Sequence, residues 1–149
     1  MYVTTIPPLR LRCWDEPLVK ATFSVSLTIP NTLTAISNMP ELSVQYQTNG
    51  KKKVTFDKSP LMSTYLLAWA VGEFDYIVGK SRHGVAIRVF SPPGRAHQGR
   101  FALDVAERAL DFYDDFFQFH YPLPKLDMLC VTEFAAGAME NWWDFTLSF

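Results

Sequence analysis

The stretch Glu133-Phe134-Ala135-Ala136-Gly137-Ala138-Met139-Glu140-Asn141-Trp142 organises the reading of the chain. A run of small residues leads into one carboxylate and one amide. Small residues let a second backbone come close, and a glycine removes the side chain that would hold it off. A carboxylate at the end of such a run is a fixed negative charge where that backbone arrives, and its hydrogen bonds to a cation are stronger than neutral ones. The stretch follows the apolar run Leu126 to Thr132, which reads as a strand, so an exposed edge strand or loop is expected here.

Upstream lies the one long helical pattern. Phe101, Val105, Phe112 and Phe116 recur at helical spacing, and Ala102, Ala106, Leu110, Tyr113 and Phe117 widen that face. This aromatic stripe is expected to be the helix's core contact. Asp114 and Asp115 sit near the C-terminal end, where the macrodipole disfavours them, and are expected to point to water. Tyr121-Pro122-Leu123-Pro124 is expected to stop the helix. Before the helix, Val85, Ile87 and Val89 alternate with Ala86, Arg88 and Phe90 in a further strand, ended by Ser91-Pro92-Pro93-Gly94.

The first half reads as strands. Phe23, Val25, Leu27 and Ile29 alternate with Thr22, Ser24, Ser26 and Thr28, as in a half-buried strand. Leu33 to Ser37 is a second short strand. Ser43 to Gln47 and Lys53 to Phe56 flank Asn49-Gly50, a hairpin signal because both residues tolerate positive φ. Lys51-Lys52-Lys53 is read as a solvated, charge-protected hairpin edge. Tyr65 to Val71 reads as a central strand. The polar, glycine-rich Gly79-Lys80-Ser81-Arg82-His83-Gly84 is taken as a domain boundary. Residues 1 to 12 carry little pattern.

Composition sets bounds. Of 149 residues, 48% are apolar and 15% aromatic, enough for a buried core. A net charge of -1, with mixed signs, gives no electrostatic case for nucleic acid or an anionic membrane. The N-terminus lacks a secretory signal, and the most apolar run, Tyr65 to Gly72, is too short to span a bilayer. Cys13 and Cys130 lie far apart and read as free, buried thiols of a reduced compartment, which makes a cytoplasmic protein the expectation.

Gly137-Ala138-Met139-Glu140-Asn141 resembles the exopeptidase signature of the gluzincin zinc aminopeptidases. Its flanks look like the puromycin-sensitive and fungal alanine/arginine aminopeptidase branch. Two further matches come in the right order, Cys13-Trp14-Asp15-Glu16-Pro17 and Gly72-Glu73-Phe74-Asp75-Tyr76. The resemblance implies a mixed α/β, mostly β chain. Residues 1–82 are expected to be the end of an antiparallel β-sheet N-terminal domain, and residues 83–149 the first strands and helix of a thermolysin-like domain. It also implies release of N-terminal residues from peptides. On this resemblance Glu140 is expected to pair with the α-ammonium of a substrate with a free N-terminus. By the same resemblance Gly137 and Ala138 would offer backbone groups to that substrate as in strand addition, and Met139 and Asn141 would shape the loop. For Trp14-Asp15-Glu16-Pro17 the plain structural reading is preferred: Trp14 packs, an acid caps a turn, and Pro17 stiffens it.

The family's cofactor is Zn²⁺, held by an H-E-x-x-H helix and a more distant glutamate, with the motif's glutamate as general base. The chain contains no H-E-x-x-H. His83, His97 and His120 look isolated, and each is expected at a surface or boundary rather than on a metal, so no catalytic or metal residue is assigned. The chain also departs from the family pattern at Ile6 to Arg12 and after Trp142. A truncated or aberrantly spliced product, or a piece of a longer protein, is therefore expected, with amine recognition but no turnover. The rival expectation is a non-catalytic binding module. Oligomeric state is not legible.

Overall fold

The computed structural model describes residues 2–5, 13, 14, 16–131, 138–141 and 144–148; for 2–5, 131, 138–141 and 144–148 only the backbone is described. The chain divides into two compact units, Met1–Glu73 and Phe74–Phe149. The division falls before residue 82 because residues 75–80 hydrogen-bond as a strand to residues 86–91 of the second unit.

The first unit is all antiparallel. It contains β1 (Tyr2–Thr5), β2 (Lys20–Ala21), β3 (Ser26–Pro30), β4 (Thr34–Ser37), β5 (Glu41–Tyr46), β6 (Lys51–Phe56), β7 (Met62–Ser63) and β8 (Ala68–Gly72). These form the sheets β3-β6-β5 and β1-β8-β4 and the pair β2-β7. The burial alternates from Thr22 to Ile29 as expected, with Ile29 buried and Ser26 and Thr28 exposed, but the strand itself begins only at Ser26. Ile29, Val54 and Phe56 of one sheet share a core with Ala35 and Val71 of the other. Gly50 closes the β5–β6 hairpin at a φ of 72°, a conformation side chains rarely adopt.

Several expectations need correction. The lysine run is not a sheet edge, because β6 is the middle strand of its sheet. Tyr65 and Leu66 lie in a 3-10 turn, Thr64–Leu66, and the central strand starts only at Ala68. The buried Asn38 explains that start. Its Nδ2 donates to the Leu66 carbonyl at 2.9 Å, and its Oδ1 accepts the Ala68 N–H at 2.8 Å. Trp14 does not pack within the described residues but is 80% exposed. The Val19 N–H donates to the Glu16 carbonyl across Pro17, so the turn itself is present.

The second unit contains β9 (Asp75–Lys80), β10 (Ala86–Ser91), α1 (Arg100–Phe117), β11 (Lys125–Val131), β12 (Ala138–Asn141) and β13 (Asp144–Ser148). They form one mixed sheet in the order β12-β13-β11-β10-β9. β10 and β11 are parallel, so a crossover must join them, and α1 is that crossover. Its inner face carries Leu103, Ala106 and Leu110, packed on Val85, Ile87 and Leu126. Gly99 lets the chain enter the helix against the sheet, since a Cβ there would lie 2.9 Å from Val89 Cγ1. Among the described residues no helix is long and apolar enough to cross a membrane.

The helix is rotated from the expected orientation. Phe101, Val105, Phe112 and Phe116 are all exposed, and the buried stripe runs Ala106, Leu110, Asp114. The reason lies in the acidic residues beside it. Glu107 Oε1 accepts the Lys80 N–H, Asp111 Oδ1 accepts the Arg82 N–H, and Asp115 Oδ1 takes the Arg82 guanidinium at 2.6 Å. Three carboxylates four residues apart thus fasten one edge of α1 to the chain leaving β9. Asp114 is buried rather than solvated. The helix also ends before the prolines. Gln118 adopts φ 51° and ψ 36°, and its N–H closes back on the Asp114 carbonyl.

The orientation of α1 is testable by urea denaturation. Ile87→Ala, at a position with 0% exposure, is expected to cost about 2–5 kcal/mol. Phe116→Ser, on the exposed aromatic face, is expected to stay within about 0.5 kcal/mol of wild type.

Candidate functional site

β12 is the outermost strand of the second sheet, so Ala138–Asn141 have one backbone partner, β13, among the described residues. β13 in turn pairs in parallel with β11. Ala138–Asn141 are therefore held in the sheet by antiparallel pairing with β13, with Glu140 opposite Phe145 and Met139 opposite Thr146. Of the residues singled out in the sequence, Ala138, Met139, Glu140 and Asn141 lie on this edge, whereas Gly137 lies outside the described residues.

Two polar clusters escaped the sequence reading. The first sits in the sheet. Asp127, with 0% exposure, accepts two hydrogen bonds from Arg88, Nε to Oδ1 at 2.7 Å and Nη2 to Oδ2 at 2.6 Å. Lys125 Nζ reaches Oδ2 at 2.5 Å and is itself buried. The parallel register places Arg88 directly beside Asp127. The Arg88 guanidinium also lies 5.0 Å from the Phe90 ring centre. A charged residue inside the apolar run Leu126 to Thr132 was the available signal. Burial pushes the Tyr121 phenol above its usual range, with the charge of Asp127 adding to it, and burial raises the Cys130 thiol. Cys13 and Cys130 are both free; Cys130 is buried and Cys13 half-buried.

The second cluster forms where the chain enters the two parallel strands. His83 precedes β10, His120 precedes β11, and Asp114 lies in the last turn of α1. His83 Nε2 is 3.8 Å and His120 Nδ1 3.4 Å from Asp114 Oδ2, and the two ring centres are 4.0 Å apart. Asp114 Oδ1 accepts the Tyr121 N–H at 2.8 Å, whereas Oδ2 is buried without a hydrogen-bond partner. His97 is exposed in a 3-10 turn, whereas His83 and His120, expected to be isolated from one another, lie side by side. They are 37 residues apart in sequence, and only the parallel register unites them.

Comparison with known proteins agrees with this architecture. Residues 10–66 match the peptidase M1 N-terminal domain, and residues 101–148 the peptidase family M1 domain. The chain is 48% identical over 131 residues to the puromycin-sensitive aminopeptidase of Caenorhabditis elegans, covering 87% of this chain and 14% of that protein. It is 46% identical over 147 residues to aminopeptidase M1 of Arabidopsis thaliana, covering 95% and 16%. It is 48% identical over 132 residues to the alanine/arginine aminopeptidase of Saccharomyces cerevisiae, covering 87% and 15%. The chain belongs to peptidase family M1, and it spans about one-seventh of the length of these relatives. Zinc is the metal expected of that family, and none of the three histidines of this sequence stands in an H-E-x-x-H.

The buried Asp127 cluster makes a direct test of the second unit's integrity. Asp127→Ala leaves two cations facing a cavity and is expected to cost about 3–5 kcal/mol in urea unfolding.

Proposed function

We propose that this chain carries the amino-terminus-recognising part of a metallo-aminopeptidase. The observation that carries the reading is the position of Ala138–Asn141 on the outer strand of a sheet, with Glu140 in it. An outer strand has backbone groups available to an extended peptide, so a substrate can add as the next strand. A peptide bound this way places its α-ammonium at one end, and a carboxylate there selects a free N-terminus. Gly137 and Ala138 give the close approach, and Met139 and Asn141 hold the glutamate's segment in shape.

Recognition and hydrolysis are separable. The family's activity is zinc-assisted release of N-terminal residues, in which the metal supplies an activated water. This chain's own contribution is to bind and orient the peptide, and by itself it does not turn substrate over. The two domain matches support the reading of the first unit as N-terminal-domain β-structure and the second as the start of a thermolysin-like peptidase domain. The same proposal takes the protein to be cytoplasmic, a reading that two free cysteines support.

One observation favours the rival reading, an interaction module without chemistry. Phe112, Phe116, Phe117 and Phe119 form an exposed aromatic surface on and beyond α1. That reading predicts self-association in light scattering; a monomer without dye-accessible apolar surface counts against it.

The principal test compares two peptides differing only in N-terminal acetylation, measured by fluorescence anisotropy. A charge-assisted hydrogen bond predicts about tenfold tighter binding of the free amine, lost in Glu140→Gln. Equal affinity for both peptides, or a preference that survives Glu140→Gln, contradicts the proposal. Release of an alanyl-anilide by the chain alone contradicts the lack of turnover.

A further inference from the structure

The loop before β10, the loop before β11 and the last turn of α1 converge on one carboxylate oxygen. We propose that His83, Asp114 and His120 form a binding site for a divalent transition cation of the zinc type. The ligand atoms are His83 Nε2, Asp114 Oδ2 and His120 Nδ1. All three lie within 4.8 Å of one another.

Geometry is the first support. A tetrahedral zinc with bonds of about 2.0–2.2 Å holds its ligand atoms roughly 3.3 Å apart. The two carboxylate-to-imidazole separations here are 3.4 and 3.8 Å. The side chains already stand near the spacing a cation imposes.

The second support is the state of the carboxylate. Asp114's side chain is 4% exposed, yet Oδ2 has no hydrogen-bond partner. A buried, unsatisfied carboxylate oxygen is costly, and natural structures rarely leave one without a purpose. The other oxygen is occupied by the Tyr121 N–H, which fixes the direction in which Oδ2 points. Carboxylates that bind metals are commonly held in this way by a hydrogen bond to the oxygen that does not face the cation.

The third support is the rigidity of the frame. The His83 loop is closed by Gly84 N–H to Ser81 carbonyl and by Val85 N–H to Ser81 Oγ. Its neighbour Arg82 is tied to Asp111 and Asp115 of α1. The imidazoles themselves are 35% and 70% exposed and can turn the remaining distance.

Two nitrogen ligands and one oxygen select against calcium and magnesium, which prefer oxygen donors, and suit zinc, cobalt or nickel. Three protein ligands leave a fourth position. His83 and His120 line an open concavity of ≈ 630 Å³ with Gln118, Phe119 and Tyr121, so water or an external ligand can reach the imidazoles. The site uses none of residues 137–141.

Calorimetric titration of the chelator-treated chain with zinc chloride tests the site, with cobalt absorbance reporting coordination. One equivalent is expected to bind in the micromolar range, with visible cobalt bands of a low-coordinate site. Loss of an outer-shell partner alone typically costs about 10–100-fold in metal affinity. Removing a direct ligand in His120→Ala, or both imidazoles in the double variant His83→Ala/His120→Ala, is therefore expected to cost at least about tenfold. These positions are on the surface, so the variants are expected to keep the wild-type circular dichroism even if Asp114→Asn does not fold. His97→Ala is expected to bind as wild type does. Absence of binding at millimolar zinc overturns the proposal. So does wild-type affinity and stoichiometry in the double variant.

Discussion

The parallel register of β10 on β11 is the constraint from which the second unit follows. Parallel neighbours cannot be joined by a tight turn, so the chain must leave the sheet and return to the same end. α1 makes that return. Ala86 pairs with Lys125, so both strands begin at one level. The residues just before each start, His83 and His120, are thereby neighbours, and the end of α1 arrives between them with Asp114. The same register sets Arg88 beside Asp127 and makes the buried ion cluster possible.

Acid placement on α1 shows how tertiary contacts override a local rule. Carboxylates near a helix C-terminus face an unfavourable dipole. Asp115 meets that cost with the Arg82 guanidinium, which holds its carboxyl below the usual range while Asp115 raises the Arg82 pKa in return. Asp114 meets it by capping the Tyr121 N–H. The ladder of Glu107, Asp111 and Asp115 turns the helix so that its aromatic stripe faces outward. Core contact then falls to smaller residues, Ala106 and Leu110.

What could be read from the sequence follows from which signals are local. The alternation from Phe23 to Ile29 and the Asn49-Gly50 hairpin report short-range physics, and both appear as read. The motif's sequence leaves an edge strand or a loop open, and Ala138–Asn141 form the edge strand β12. The inner face of α1 was not legible, since counting apolar residues cannot see carboxylates bonding to a distant turn. β1, Tyr2–Thr5, was missed because its only partner among the described residues is β8, more than sixty residues away. The His83–Asp114–His120 group was hidden for the same reason: its members have no ligand spacing until the crossover closes.

In the proposed function the edge strand Ala138–Asn141 is the part that meets substrate. The most direct measurement is an isotope-edited nuclear Overhauser experiment on the labelled chain with a saturating free-amine peptide. Strand addition predicts cross-strand contacts from the peptide backbone to the amides of Ala138, Met139, Glu140 and Asn141. A bound peptide whose contacts fall elsewhere, with those four amides unchanged, contradicts it.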